Sequence, residues 1–169
     1  MKPEADEIQK RAADIRVAVF DVDGVMTDGK LYLYEHGEEI KSMSVRDGLG
    51  IQRLQAAGVA VAAISGRPSP AVAARLHALG VDYIYLDSHD KQLDFEALLA
   101  ELELTPDQAA VMGDDLPDLG LMRQARLAMT VADAVDDVID IAHWVSRFDG
   151  GQGAVREACE LIIAAHNAH

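Results

Sequence analysis

Two aspartates spaced two residues apart, Asp21 and Asp23, follow the apolar run Val17-Ala18-Val19-Phe20 and precede Gly24. A short apolar, β-branched run bounded by a turn signal predicts a buried strand. Extended backbone places alternate side chains on one side, so the two carboxylates share a side. Like charges at the end of a buried strand are unfavourable unless compensated. An oxygen-only pair invites a hard divalent cation, and magnesium suits it. Taken alone, Asp21–Gly24 also has a bland reading as a solvated acidic turn, but three further strand ends carry polar groups. Ser65 closes the run Val59–Ile64, Lys91 lies at a helix start beyond Val81–Leu86, and Asp114 and Asp115 follow Ala109–Met112. Such a set can perform phosphoryl transfer. One carboxylate attacks phosphorus and splits the displacement into two steps. A second acts as general acid and then general base. A metal lets one anion approach another, and hydroxyl and ammonium donors hold the phosphoryl oxygens.

These groups converge only if the strands are parallel and end on one edge. The chain alternates strands with helical stretches. A polar helix spans residues 4–14, and a helix opened by Arg46-Asp47-Gly48 stops at Gly58. Others cover Pro70–Leu79, Lys91–Leu102, Leu116–Gln124, Ala132–Ile139 and Ala154–Ala165. A fifth strand is predicted at Ala128–Val131, and His143-Trp144-Val145 is a candidate sixth. This rhythm predicts an α/β fold, a Rossmann-like three-layer parallel sheet with helices on both faces. Leu31–Tyr34, the turn Glu35–Glu38 and Ile40–Val45 predict a β-hairpin flap over about 29–45, outside that rhythm. Its apolar residues would be exposed on a lone hairpin, which predicts packing against a neighbouring subunit. Gly150-Gly151-Gln152-Gly153 reads as a flexible joint before the last helix. A single domain over 1–169 is expected, with a tail over about 150–169.

The 169 residues suffice for one full core. The net charge of −14 disfavours nucleic acid and anionic membranes as partners. It also opposes a phosphorylated substrate unless a metal and placed basic residues reverse the local sign. Cys159 is the sole cysteine, so no internal disulfide is possible and a buried, inert thiol is expected. The charged N-terminus has no signal-peptide core and no apolar run reaches membrane-span length. A cytoplasmic location is therefore expected.

DVDGV at 21–25, SGR at 65–67, Lys91 and GDDLPD at 113–118 resemble the four motifs of the haloacid dehalogenase superfamily of phosphohydrolases. The resemblance implies Asp21 as nucleophile and magnesium ligand, and Asp23 as acid/base with its backbone carbonyl on the metal. It implies Ser65 and Lys91 as phosphate grips and Asp114 as a further metal ligand. Asp115 and Asp118 would orient water or Lys91. The hairpin, SVRDGLGI and the C-terminal GGQGAVRE resemble the family of 3-deoxy-D-manno-octulosonate 8-phosphate phosphatases, which lack a cap domain and are tetrameric. That implies release of an eight-carbon sugar acid on the route to bacterial lipopolysaccharide, in a homotetramer whose sites are completed by a neighbouring subunit. Substrate contacts implied by the match are Asp23, Ser44, Val45, Arg46, Asp47, Gly48, Gln52, Arg67, Arg75, Lys91 and Arg156. Ser44 departs from the Asn common in that family. The tail from Gly150 to Arg156 is expected to order over the next subunit's site.

Other readings fit less well. An EF-hand loop starting at Asp21 would need oxygen ligands where Val25 and Tyr32 stand, and glycine where Met26 stands. A receiver-like signalling module would need a phosphorylated Asp after the third strand, where only Asp87 is available. A non-catalytic scaffold would not need every catalytic group. The six histidines show no metal-ligand spacing. Within the same chemistry the rival is a phosphatase for a nine-carbon, sialic-acid-type 9-phosphate.

Overall fold

The computed structural model describes residues 3–168. His169, the end of the expected tail, lies outside the described residues. The chain opens with helix α1 (Ala5–Ala13) and strand β1 (Val17–Phe20). A tight turn, Val22–Met26, follows β1 and leads to a hairpin of β2 (Tyr32–Leu33) and β3 (Glu39–Ile40). Then come α2 (Val45–Ala56), β4 (Ala60–Ser65), α3 (Pro70–Ala78), β5 (Tyr83–Leu86) and α4 (Lys91–Glu101). The remainder is β6 (Ala109–Met112), α5 (Leu119–Gln124), β7 (Leu127–Thr130), α6 (Asp136–Ile141), β8 (Trp144–Val145) and α7 (Ala154–Asn167).

Six strands form one parallel sheet in the order β5-β4-β1-β6-β7-β8. β1 is central: Val17 lies opposite Ala60 of β4 on one side and Ala109 of β6 on the other. All four of its residues are buried, as both faces of a parallel sheet are covered by helices. The period of two divides the core. Ala18, Phe20, Val61, Ala63, Ala110 and Met112 face α1, α2, α3 and α7. Val17, Val19, Ala62, Ile64 and Val111 face α4, α5 and α6, where Phe95, Leu98, Leu121 and Val138 pack.

Local signals start the helices that matter for the cleft. Asp90 caps α4, its carboxylate accepting from the backbone N–H groups of Gln92 and Leu93, and this fixes Lys91 as the first helical residue. Ser69 caps α3 with Pro70 behind it. α2 contains Gly48 and Gly50, each costing about 1 kcal/mol against alanine in a helix. Packing explains Gly50: a Cβ there would come within 2.9 Å of the Arg156 Cα.

Several boundaries differ from the sequence reading. The hairpin strands are two residues each, and among the described residues no third strand supports them. The stretch Leu116–Gln124 is a 3₁₀ turn, Leu116–Asp118, followed by α5. The helix expected from Ala132 begins only at Asp136, since Val135 N donates to Asp114 O and closes the preceding loop. Gly150–Gly153 is not a flexible joint: Gly150 N donates to Asp133 Oδ1 at 2.9 Å and Gly151 N to Val25 O at 3.0 Å. Cys159 is fully buried, and burial pushes its thiol well above the ordinary range.

Candidate active site

The carboxyl ends of β1, β4 and β6 are adjacent, so the residues that follow them meet at one edge. A cleft of about 680 Å³ opens there, lined by Asp21, Asp23, Ser65, Arg67, Lys91, Asp114, Asp115 and Asp118 among others. It sits just past the strand ends of an open parallel sheet, where such folds place ligands.

Lys91 is the hub. Its ammonium lies 2.7 Å from Asp21 Oδ1 and 2.7 Å from Asp118 Oδ1. The other Asp118 oxygen accepts from the backbone N–H groups of Asp114 and Asp115, at 3.1 and 3.4 Å. Asp118 therefore fixes both the lysine and the loop that carries Asp114. Asp115 is exposed and accepts from Leu116 N at 2.7 Å, which starts the 3₁₀ turn bearing Asp118. Ser65 Oγ donates to Asp23 Oδ2 at 3.4 Å and accepts from Arg67 N at 3.3 Å.

The turn after β1 is shaped by a glycine. Gly24 has φ of +95°, and a Cβ on it would lie 2.0 Å from Asp114 Oδ2. Thr27, buried, accepts from the N–H groups of Gly24 and Gly29 and holds this turn closed.

The carboxylates crowd one another. Burial pushes Asp21 up to about 6, with the Asp118 charge adding and Lys91 opposing. Burial pushes Asp114 up to about 8, with Asp21 and Asp118 adding. Burial works against the Lys91 charge, but Asp21 and Asp118 outweigh it and hold the ammonium above its ordinary range. Such an arrangement is what a cation relieves. Asp21, Asp114 and Asp118 bring carboxylate oxygens within 4.8 Å of one another. Asp114 Oδ1 is buried with no hydrogen-bond partner among the described residues. The donors are all hard oxygens, so the residues fit magnesium. Because both Asp118 oxygens are already engaged, Asp21 and Asp114 are the side chains left to bind it.

The sequence reading missed Lys41. It reaches from the hairpin to Asp23 Oδ1 at 2.5 Å, with its side chain 5% exposed. A signal existed: in the alternating stretch Ile40–Val45, Lys41 shares a face with Met43 and Val45, an odd place for a solvated lysine. Arg67 likewise pairs with Glu39 of β3 at 2.5 Å, so two ion pairs tie the hairpin to the cleft.

The remaining expected contacts are not brought to the cleft within one chain. Ser44 caps α2, its hydroxyl accepting from Arg46 N. Val45, Arg46 and Gln52 are exposed on α2. Gly48 packs against the Arg75 guanidinium, away from the cleft lining. Asp47 requires a correction: it is buried, and its Oδ1 accepts from Arg156 N at 2.8 Å, so its carboxylate faces α7 rather than substrate. Arg156 pairs with Glu160 on its own helix at 2.8 Å. Within the chain, the segment Gly150–Arg156 packs on Asp133, Val25 and Asp47.

A family model of haloacid dehalogenase-like hydrolases matches residues 83–157. The chain is 44% identical to 3-deoxy-D-manno-octulosonate 8-phosphate phosphatase KdsC of Yersinia pestis, over 98% of this chain and 88% of that protein. It is 39% identical to the KdsC of Escherichia coli, over 96% of this chain and 87% of that one. The crystal structure of the Yersinia pestis phosphatase superposes with a TM-score of 0.95, covering 98% of this chain and 89% of that chain. A Moraxella catarrhalis phosphatase of the same name was solved with magnesium ion, phosphate ion and KDO molecule. It superposes at 0.94 with 36% identity, covering 97% of this chain and 94% of that chain.

Proposed function

The chain belongs to the haloacid dehalogenase-like hydrolases, and on that premise we propose that it hydrolyses 3-deoxy-D-manno-octulosonate 8-phosphate to the free sugar acid and phosphate. It is a phosphatase with magnesium as its cofactor. The observation that carries the reaction is Asp21 at the tip of the central strand, gripped by a lysine that Asp118 holds from behind. The choice of sugar rests on the near full-length identity to phosphatases of that name. The setting is cytoplasmic lipopolysaccharide biosynthesis. No helix among the described residues is long and apolar enough to cross a membrane.

Asp21 and Asp114 would hold magnesium, which would neutralise carboxylate and phosphoryl charge so that one anion can approach another. An Asp21 oxygen attacks phosphorus, and the bond from phosphorus to the sugar O8 breaks. Lys41 pairs with ionised Asp23, so it must leave Asp23 Oδ1 as substrate binds; Asp23, then protonated, gives its proton to that oxygen, which leaves as the alcohol. The result is an aspartyl-phosphate on Asp21. Asp23, now ionised, takes a proton from a water that attacks the phosphorus. The bond to Asp21 breaks, and phosphate leaves with both carboxylates as they began. Lys91 and Ser65 hold the phosphoryl oxygens through both steps.

The assembly is a homotetramer in which each cleft is completed by a neighbour. The support is an unpartnered apolar hairpin: Leu33 is 65% exposed and Tyr34 60%. Val45, Arg46 and Gln52 stand off their own cleft, so they would act on a neighbour's.

The test is magnesium-dependent phosphate release from the eight-carbon 8-phosphate and a nine-carbon 9-phosphate on one preparation. Preference for the first, lost with a chelator, is expected. Preference for the second would keep the reaction and change the substrate. No release from either would overturn the reading.

A further inference from the structure

We propose that Asp47 is a positioning residue that acts on the nucleophile turn through the start of α7, rather than a substrate contact. The inference rests on the reaction proposed above. α7 begins at Gly153 with no side-chain cap of its own. Asp47 supplies one from another helix: its Oδ1 accepts from Arg156 N, in the first turn of α7. The carboxylate is 3% exposed, and its Oδ2 is buried without a partner among the described residues. Burial holds this carboxyl above its ordinary range while the backbone N–H groups of Arg156 and Gly153 oppose, so its polar contacts are with the start of α7.

The path from α7 to the cleft is one of backbone contact. Just upstream of the capped turn, Gly151 N donates to Val25 O, and Gly150 N to Asp133 Oδ1. The approach is so close that a Cβ at Gly150 would lie 1.8 Å from Gly24 O, and one at Gly151 would lie 2.7 Å from Asp28 N. Gly24 in turn abuts the Asp114 carboxylate. Asp47, the α7 start, Gly150-Gly151, the Val22–Met26 turn and Asp114 thus form one continuous stack. Loosening its far end shifts the turn that carries Asp21 and Asp23, and a small misplacement of reacting groups costs rate steeply.

The experiment compares Asp47→Asn, which keeps an acceptor for Arg156 N, with Asp47→Ala, which does not. Each is assayed well below its melting temperature on the sugar 8-phosphate and on p-nitrophenyl phosphate, and magnesium affinity is measured by calorimetry. The expected result is a kcat that falls by the same factor on both substrates, about tenfold for Ala and less for Asn. KM stays within about twofold and magnesium binding weakens in parallel. A KM rise confined to the sugar substrate would mean direct contact and overturn the proposal. So would a lower melting temperature with unchanged kcat and magnesium affinity. If Asp47→Ala does not fold, the Asn variant alone decides on the same readings. Should the unsubstituted protein hydrolyse neither ester, the reaction reading fails, while the calorimetric comparison still decides the role of Asp47.

Discussion

Lys91 sits between two carboxylates, and the charge balance of the cleft turns on it. Lys91→Met should lower kcat by about 10²–10³-fold, the range for losing one placed donor to transition-state charge, in a steady-state assay with folding checked by circular dichroism. A pH dependence of stability follows from its neighbours. Asp21 and Asp114 lie at about 6 and about 8, both above the ordinary 3.8. Between pH of about 4 and about 8 the metal-free native state therefore binds more protons than the unfolded chain, so its stability falls as pH rises through that window. Magnesium competes with those protons. The melting temperature in chelator should drop from pH 5 to pH 8, and added magnesium should restore it; equal values in chelator at both pH values would contradict the crowding. Asp21, Ser65 and Asp114 were legible in the sequence because each follows a short apolar run bounded by a turn signal, and several such ends carry polar groups. Lys41 showed only as a lysine on the Met43 face; its partner was not legible, since Asp23 lies 18 residues back and the pairing exists only after the hairpin folds over the cleft.

The hairpin is the element that the sequence placed correctly but could not characterise. Its strands are two residues long, too short to be stable alone. Two ion pairs, Lys41 with Asp23 and Arg67 with Glu39, hold it to the cleft. Lys41→Met should release the flap and raise KM roughly tenfold, an effect of about 1.4 kcal/mol, with a smaller change in kcat; unchanged kinetics would remove Lys41 from the site. The sheet itself was readable, since alternation of buried runs and helical stretches leaves few topologies. The tail was misread as a joint because four residues rich in glycine suggest mobility. Here Gly150 and Gly151 mark close approach: their missing side chains make room for the turn at Gly24.

Across the whole molecule, 29 acidic and 15 basic residues leave a field that repels a phosphorylated sugar acid. Local reversal falls to the metal, Lys91, Lys41 and Arg67, and under the tetramer proposal to cations contributed by a neighbour. The exposed Leu31, Tyr32, Leu33 and Tyr34 of the hairpin, readable in the sequence as apolar residues on a lone pair of strands, are the support for the tetramer proposal. Leu33→Glu should put a charge into that contact. Light scattering is expected to show a mass several times 18.2 kDa for the unsubstituted protein and a smaller species, with lower activity, for the variant. A fully active monomer would refute the shared-site proposal.

In the proposed reaction Asp21 carries the phosphoryl group between two steps served by Asp23. The direct measurement is rapid-mix hydrolysis of p-nitrophenyl phosphate by Asp23→Asn, followed by mass spectrometry of the quenched protein. Nitrophenolate is a good leaving group and needs no acid, whereas the second step still needs a base. The expected result is a burst of one nitrophenolate per subunit, slow turnover after it, and phosphate on Asp21. Steady turnover with no burst, or phosphate on any other residue, would contradict the account.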